Sequence, residues 1–382
     1  MTNAPLIDKD ADLPSAADVR LSDSAAAILG RPYRLETPRP KDVWTPLDLR
    51  EHLQWAINVE HYTIPFYMAT WFSIKDQADE AARLVKSIVN QEMLHLQSAV
   101  NVYNAFQFEA QPGEPDPNPD PVLGAPAYGG QIPHLKFSLN KVDPTTIFSP
   151  YSTEIGPLDM RRLNMMCIVE YPKWFDEEDK RIIAGLAEEA PEEEYGSIGE
   201  LYQAIRDHLG DFEANVVGGR RQVDIFENWY ANTSLTVSES GSAGFEQVNG
   251  LVELIVSQGE GKTKREAAIP TRFQNPANDP QPAADHFEKF NYLRGQPLPD
   301  TWPLTIGNPA GRSAQEALLE HYAQLLNYMR VIFHATPPPN PDGTVPDNLP
   351  LAPGGFGPVM FKVGAAIAAC WQNGALPMFS NP

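Results

Sequence analysis

The sequence predicts a mainly α fold: a four-helix bundle carrying long proline-rich insertions and a helical C-terminal extension. Three observations predict it. Mostly apolar positions recur at spacings of three and four, as in Leu49, Leu53, Ile57, Glu60 and Ile64, and again in Leu84, Ile88, Glu92, His95, Ala99, Val102 and Phe106. That period is one face of a helix. A hydrophobic fraction of 42% in 382 residues supports a substantial core. The 37 prolines fall largely between the periodic stretches and imply stiff, irregular connections rather than the short loops of a minimal bundle.

Composition narrows the function classes. Twenty-nine basic and 50 acidic residues leave a net charge of −21. Such a surface repels nucleic-acid backbones, and no basic patch offsets it. No apolar run reaches the ~18 residues that a membrane span needs. The N-terminus, Met1 to Asp12, lacks the basic and apolar regions of a signal peptide. Two cysteines, Cys167 and Cys370, argue against a disulfide scaffold. The expected location is cytoplasmic.

Residues 1–45 read as an N-terminal arm, with a short helix over Asp18–Leu29 and an extended, proline-rich stretch over Arg31–Val43. Residues 46–294 read as the bundle, with an insertion at about 109–195. The first helix runs from Pro46 to Trp71. Thr45 before Pro46 suits a cap followed by proline in the first turn. Glu60 is an acid set in the apolar stripe, and Pro65 is expected to kink the helix just beyond it. Trp55, Tyr62, Phe66, Tyr67, Trp71 and Phe72 line this helix, either as a pocket wall for an aromatic substrate or as ordinary core.

The second helix spans Asp79–Phe108. Its apolar face is interrupted only by Glu92 and His95, so a carboxylate and an imidazole point where a core should be. A buried carboxylate needs a partner. A metal ion partners both groups, because Glu-x-x-His sets an oxygen and a nitrogen one turn apart. A buried Glu–His hydrogen-bonded pair is the alternative. Glu60 on one helix with Glu92 and His95 on the next makes half of a ferritin-like carboxylate metal site.

The insertion opens with six prolines in the sixteen residues Gln111–Pro126. His134–Val142 alternates and reads as a strand. Pro157–Glu170 reads as a helix through Leu158, Leu163, Met166, Ile168 and Val169. Its closing acid, Glu170, is placed to reach a site, although a helix-end acid before a proline is usually structural. The acidic run Asp176–Tyr195 reads as a solvated loop. The third bundle helix starts at Ser197, with Ile198, Leu201, Ile205 and Leu209 on its apolar face. Glu200 has two readings there: partner of Ser197 in a capping box, or the acid that the third helix contributes to a metal site. Asp207 is a secondary candidate. Gly210–Gly244 is expected to cover one end of the bundle. The fourth helix, Phe245–Gly261, buries Val248, Leu251, Val252 and Ile255. It lacks the second Glu-x-x-His, since Glu253 is followed at three by Val256 and Glu260 by Thr263.

Residues 295–382 form the C-terminal extension. Ser313–Ala335 is amphipathic through Leu318, Leu325, Met329 and Ile332. Its Glu316, Glu320 and His321 read as surface or interface residues. Gly364–Trp371 is small and apolar, which suits close helix packing or the contact of a homodimer.

Several islands resemble one family. Leu49-Arg50-Glu51-His52-Leu53-Gln54, Thr63-Ile64-Pro65-Phe66-Tyr67 and Ile88-Val89-Asn90-Gln91-Glu92-Met93-Leu94-His95-Leu96 are similar to the ferritin-like domain of the iminophenyl-pyruvate dimer synthase family. That family includes the enzymes that couple tryptophan-derived imines in violacein, rebeccamycin and staurosporine assembly. The similarity is strongest over residues 46–108. It resumes in order at Ser197–Tyr202, Gln258–Gly261 and His286–Phe290. The resemblance favours Glu200 as a ligand. It also suggests that Glu260, flanked by glycines that let the backbone approach closely, and His286 together replace the missing motif.

The expected ligand set is therefore Glu60, Glu92, His95, Glu200, Glu260 and His286. Mixed carboxylate and imidazole donors suit iron, in one or two ions, and also manganese or zinc. Thiolates are not expected to take part. The resemblance implies a metal-dependent oxidoreductase acting on an amino-acid-derived imine or related aromatic small molecule, served by an amino-acid oxidase. The alternative is a non-catalytic metal-binding protein on the same bundle, since fold does not fix function. An iron-storage cage fits poorly, because the insertions and the extension obstruct a compact shell.

Overall fold

The computed structural model describes residues 21–29, 38–113, 115–129, 148–171, 195, 197–226, 229–231, 233–259, 269–305, 307–333 and 356–380. Nine α-helices lie among them: α1 (Asp23–Leu29), α2 (Pro46–Ser73), α3 (Glu80–Ala105), α4 (Met160–Val169), α5 (Ile198–Leu209), α6 (Gly241–Gln258), α7 (His286–Arg294), α8 (Pro309–Phe333) and α9 (Phe356–Gln372). No strand occurs among the described residues, only isolated bridges pairing Ile74 with Thr301 and Phe106 with Val216. The expected strand His134–Val142 lies outside them. So does the acidic run Asp176–Tyr195 apart from Tyr195 itself.

Helix α2 begins where the sequence places it. The Thr45 hydroxyl accepts from Asp48 N at 3.3 Å, and the Asp48 carboxylate accepts from Thr45 N at 2.8 Å. This reciprocal cap satisfies two of the orphan donors of the first turn. The helix then runs unbroken through Pro65 to Ser73. Nearly every residue from Leu49 to Thr70 is buried, as expected for a helix enclosed on all sides. Its neighbours explain this. Helix α2 packs on α3, α3 on α6, α6 on α5, and α5 back on α2, which closes a ring of four. Helix α9 covers α2 from outside. These are the four helices read from the periodicity, with shifted ends. Helix α3 stops at Ala105 because Phe106 turns extended and bridges to Val216. Helix α6 starts earlier, at Gly241, and ends at Gln258, because Gly259 leaves the helical region at φ −131° and ψ −87°.

A second pair, α4 with α7, packs together, and α7 also rests on α3. Asp159 caps α4, and the capping box of Asp285 with Glu288 starts α7. In the C-terminal extension α8 and α9 pair, and α1 packs on α8. The small residues of α9 serve packing within the chain: a Cβ at Gly364 would meet the Phe72 ring at 3.0 Å.

Buried polar side chains dock the proline-rich loop. The Arg50 guanidinium donates to the carbonyls of Tyr103, Phe106 and Pro117, so one cation joins the start of α2, the end of α3 and the loop. The Gln54 amide exchanges two hydrogen bonds with the Val122 backbone, at 2.8 and 2.9 Å. Cys167 and Cys370 are free and buried. Among the described residues no helix is long and apolar enough to cross a membrane.

Candidate metal centre

Five ionisable side chains meet inside the fold. Helix α2 contributes Glu60. Helix α3 contributes Glu92 and His95, one turn apart on the face toward α2 and α6. Glu170 is the residue that ends α4. His286 is the first residue of α7, set there by the Asp285 cap. All five are 0% exposed. The ligand atoms of Glu92, His95 and His286 lie within 4.8 Å of one another. His286 Nδ1 is 2.7 Å from Glu92 Oε1 and 3.4 Å from Glu170 Oε2. His95 Nδ1 is 3.6 Å from Glu60 Oε2. The two imidazoles stack, with centroids 5.3 Å apart.

Each of the five residues presents one satisfied atom outward and one bare atom inward. Glu60 Oε1 accepts from the Tyr202 hydroxyl. Glu92 Oε2 accepts from the Thr63 hydroxyl at 2.6 Å. Glu170 Oε1 accepts from the Tyr67 hydroxyl. His95 Nε2 meets Gln258 Oε1 at 3.0 Å, and His286 Nε2 meets Gln91 Oε1 at 3.2 Å. The inward atoms, Glu60 Oε2, Glu92 Oε1, His95 Nδ1, Glu170 Oε2 and His286 Nδ1, have no hydrogen-bond partner. Among these inward atoms, His286 Nδ1 stands within ion-pair distance of Glu92 Oε1, at 2.7 Å. Buried charges left without a partner cost several kcal/mol or more. Three of these atoms, on Glu92, His95 and His286, group closely enough to be a candidate cation site, flanked by Glu60 at His95 and Glu170 at His286, and outer hydrogen bonds of this kind are what orients metal ligands.

The His95 tautomer follows from its neighbours. Gln258 Nε2 lies 2.7 Å from the Phe273 carbonyl, which can only accept, and 2.7 Å from the Tyr230 hydroxyl. The amide nitrogen is therefore fixed away from His95, and Gln258 Oε1 faces Nε2. Nε2 must donate, which leaves the Nδ1 lone pair on the cluster.

The protein groups alone perturb one another. Burial, and then the Glu92 charge, hold the Glu170 carboxyl above the usual carboxylate range. Burial opposes charge on His286, yet Glu92 and Glu170 outweigh it and push its pKa up to about 9. Gly259 backs the site: a Cβ there would stand 3.1 Å from His286 Nδ1 and 3.3 Å from Glu170 Oε2.

The structure gathers four of the six expected ligands: Glu60, Glu92, His95 and His286. Glu260 lies outside the described residues. Glu200 is buried in the first turn of α5, its amide on the Ser197 hydroxyl. It sits beside Tyr195, whose phenol is raised by burial and then by the Glu200 charge, and outside the close Glu92–His95–His286 grouping. From α5, Tyr202 touches the cluster through its hydroxyl on Glu60. Asp207 is exposed and bonded to Gln203.

Of the two readings of Glu170, its approach to His286 favours the site over a merely structural helix end. The available signal was an acid closing an apolar helix in an otherwise polar insertion. Cys167, one turn earlier on α4, stays a neutral thiol, its pKa pushed up to about 12 by burial. Of the α2 aromatics, Tyr67 reaches the cluster, Trp55, Tyr62 and Phe66 are core, and Trp71 and Phe72 are half-buried. A cavity of about 20 Å³ borders another face of α2 and is lined by His61, Ile64, Met68, Met93 and Leu96 with the C-terminal helices, rather than by those aromatics.

A family profile described as Ferritin-like matches residues 53–295. Among solved structures, a ferritin-like protein from Caulobacter vibrioides is similar at a TM-score of 0.67 and 36% identity, over 89% of this chain and 100% of that one. No curated protein matches the chain.

Proposed function

From the premise that this chain belongs to the ferritin-like family, we propose that Glu60, Glu92, His95, Glu170 and His286 hold one or two transition-metal ions, and that the loaded protein is an oxidoreductase of the imine-coupling type. The convergence of five bare, buried donor atoms carries the metal reading. Three carboxylates and two imidazoles, with no thiolate, suit iron first and manganese or zinc by the same chemistry. The donors divide into Glu60 with His95, and Glu170 with His286. Glu92 lies close to both imidazoles, so these five residues would hold one ion or two.

Bound iron supplies one-electron chemistry and the activation of dioxygen or peroxide. The chain's own groups do the rest. Thr63, Tyr67 and Tyr202 each hold one oxygen of a ligand carboxylate, and the complete burial of the donors excludes bulk water. The resemblance to imine-coupling enzymes supports an amino-acid-derived or aromatic substrate, with an amino-acid oxidase as the partner that delivers it. A second reading, a non-catalytic metal-binding protein, draws on the depth of the same five donors.

Metal content of protein purified without a chelating tag tests the site. About one or two ions per chain are expected, lost in Glu92→Ala and in His95→Ala. Metal-free protein whose variants keep wild-type stability would reduce the cluster to a buried polar network. Oxidant consumption by the loaded protein with aromatic imines separates the enzyme from the non-catalytic reading.

A further inference from the structure

Lys289 is a lysine with no exposed surface. It lies one turn after His286 on α7. Its Nζ donates to Asp279 Oδ2 at 2.7 Å and to Gln91 Oε1 at 3.0 Å. Gln91 Nε2 reaches the same Asp279 oxygen at 3.4 Å. A buried ion pair is a poor source of fold stability, since well-packed apolar residues of similar volume often serve as well or better. The placement of this pair calls for another explanation.

Gln91 supplies it. Its amide can turn either its oxygen or its nitrogen toward His286 Nε2, and the choice decides the imidazole. An ammonium only donates and a carboxylate only accepts. Lys289 therefore holds Gln91 Oε1, and Asp279 takes Gln91 Nε2. Both contacts select one orientation, in which Oε1 faces His286 Nε2 at 3.2 Å. Nε2 must then keep its proton, so the nitrogen that gives one up to become a ligand is Nδ1, which faces Glu92 and Glu170. On the other arm, an uncharged carbonyl and a phenol fix Gln258 for His95.

We propose that Lys289, with Asp279, is a positioning residue that acts through Gln91 to lock His286 in the Nδ1-ligating tautomer. The proposal rests on the metal reading above. Because the imidazole faces an amide rather than a carboxylate, its outer proton stays on Nε2.

Zinc(II), which is diamagnetic, is the probe. Its affinity is measured by chelator competition, and the imidazole N–H resonances by NMR of histidine-labelled protein. The wild type is expected to show slowly exchanging Nε2–H signals from His95 and His286. The double variant Lys289→Met/Asp279→Leu removes the pair without stranding either charge. It is expected to fold, to lose about 10–100-fold in zinc affinity, and to lose the His286 Nε2–H signal while keeping that of His95. Gln91→Leu, which leaves the ion pair in place, is expected to do the same. Unchanged affinity with an intact His286 signal in the double variant overturns the proposal. So does an unfolded double variant, since the pair would then hold the fold rather than the imidazole. A wild type that takes up no zinc defeats the metal reading itself, a result distinct from both.

Discussion

At the scale of single residues, the two oxygens of Glu92 do different work. One is held by Thr63 and the other is aimed at the imidazoles. Thr63→Val removes the hydroxyl and strands Glu92 Oε2 in a buried site. Metal affinity is expected to fall about tenfold, and stability by about 1–3 kcal/mol. Chelator competition and denaturant titration read the two effects.

His286 and Glu170 also fix a pH dependence. Both pKa values are raised, so the metal-free native state binds more protons than the unfolded chain. The His286 contribution is complete below its unfolded value near 6.5 and is lost as pH rises through about 9. The Glu170 contribution has the same sign and starts to fade just above the ordinary carboxylate range. The chelator-treated protein should lose melting temperature between pH 6.5 and 9. Metal uptake near pH 7.5 should release the His286 proton, detected by calorimetry in buffers of different ionisation heat. A flat profile and protonless uptake would contradict the assignment.

Glu60, Glu92 and His95 were legible in the sequence because they interrupt apolar helical faces. Glu170 was not, because a helix-end acid beside a proline has no periodicity to violate. Glu200 drew attention through a third-helix pattern, and the same helix also brings the Tyr202 phenol to Glu60, which no spacing announced.

At the scale of elements, the end of α6 matters more than its length. Whatever its backbone angles ask, Gly259 meets the site by contact. Gly259→Ala would set a methyl against His286 Nδ1 and Glu170 Oε2. Helix content by circular dichroism should stay unchanged while metal occupancy falls at least severalfold. Loss of helix instead would mean that the glycine serves the chain and not the site. Four bundle helices could be read from spacing alone, because amphipathic repeats record which face is buried. Their ends could not, because they depend on tertiary events such as the Phe106–Val216 bridge.

At the scale of the whole molecule, the C-terminal extension belongs to the core. Trp371 is fully buried on α9 and donates Nε1–H to the Ala69 carbonyl of α2 at 2.8 Å. Trp371→Ala should cost about 3–5 kcal/mol, measured by denaturant unfolding. A loss below 1 kcal/mol would mean that the extension is an independent layer. The sequence announced this extension by its periodicity, but nothing in it told which helix α9 would cover.

The donors of the centre lie far apart along the chain: Glu60, Glu92 and His95 within one hairpin, Glu170 in the insertion, and His286 more than a hundred residues later. Closing loops of that length is slow, because chain entropy must be surrendered before the contacts exist. The early hairpin offers an incomplete ligand set, and the full one appears only when α4 and α7 have docked. On the metal reading proposed above, capture would be a late event in the life of each newly made chain, and the ion would fasten together the parts of the fold that arrive last.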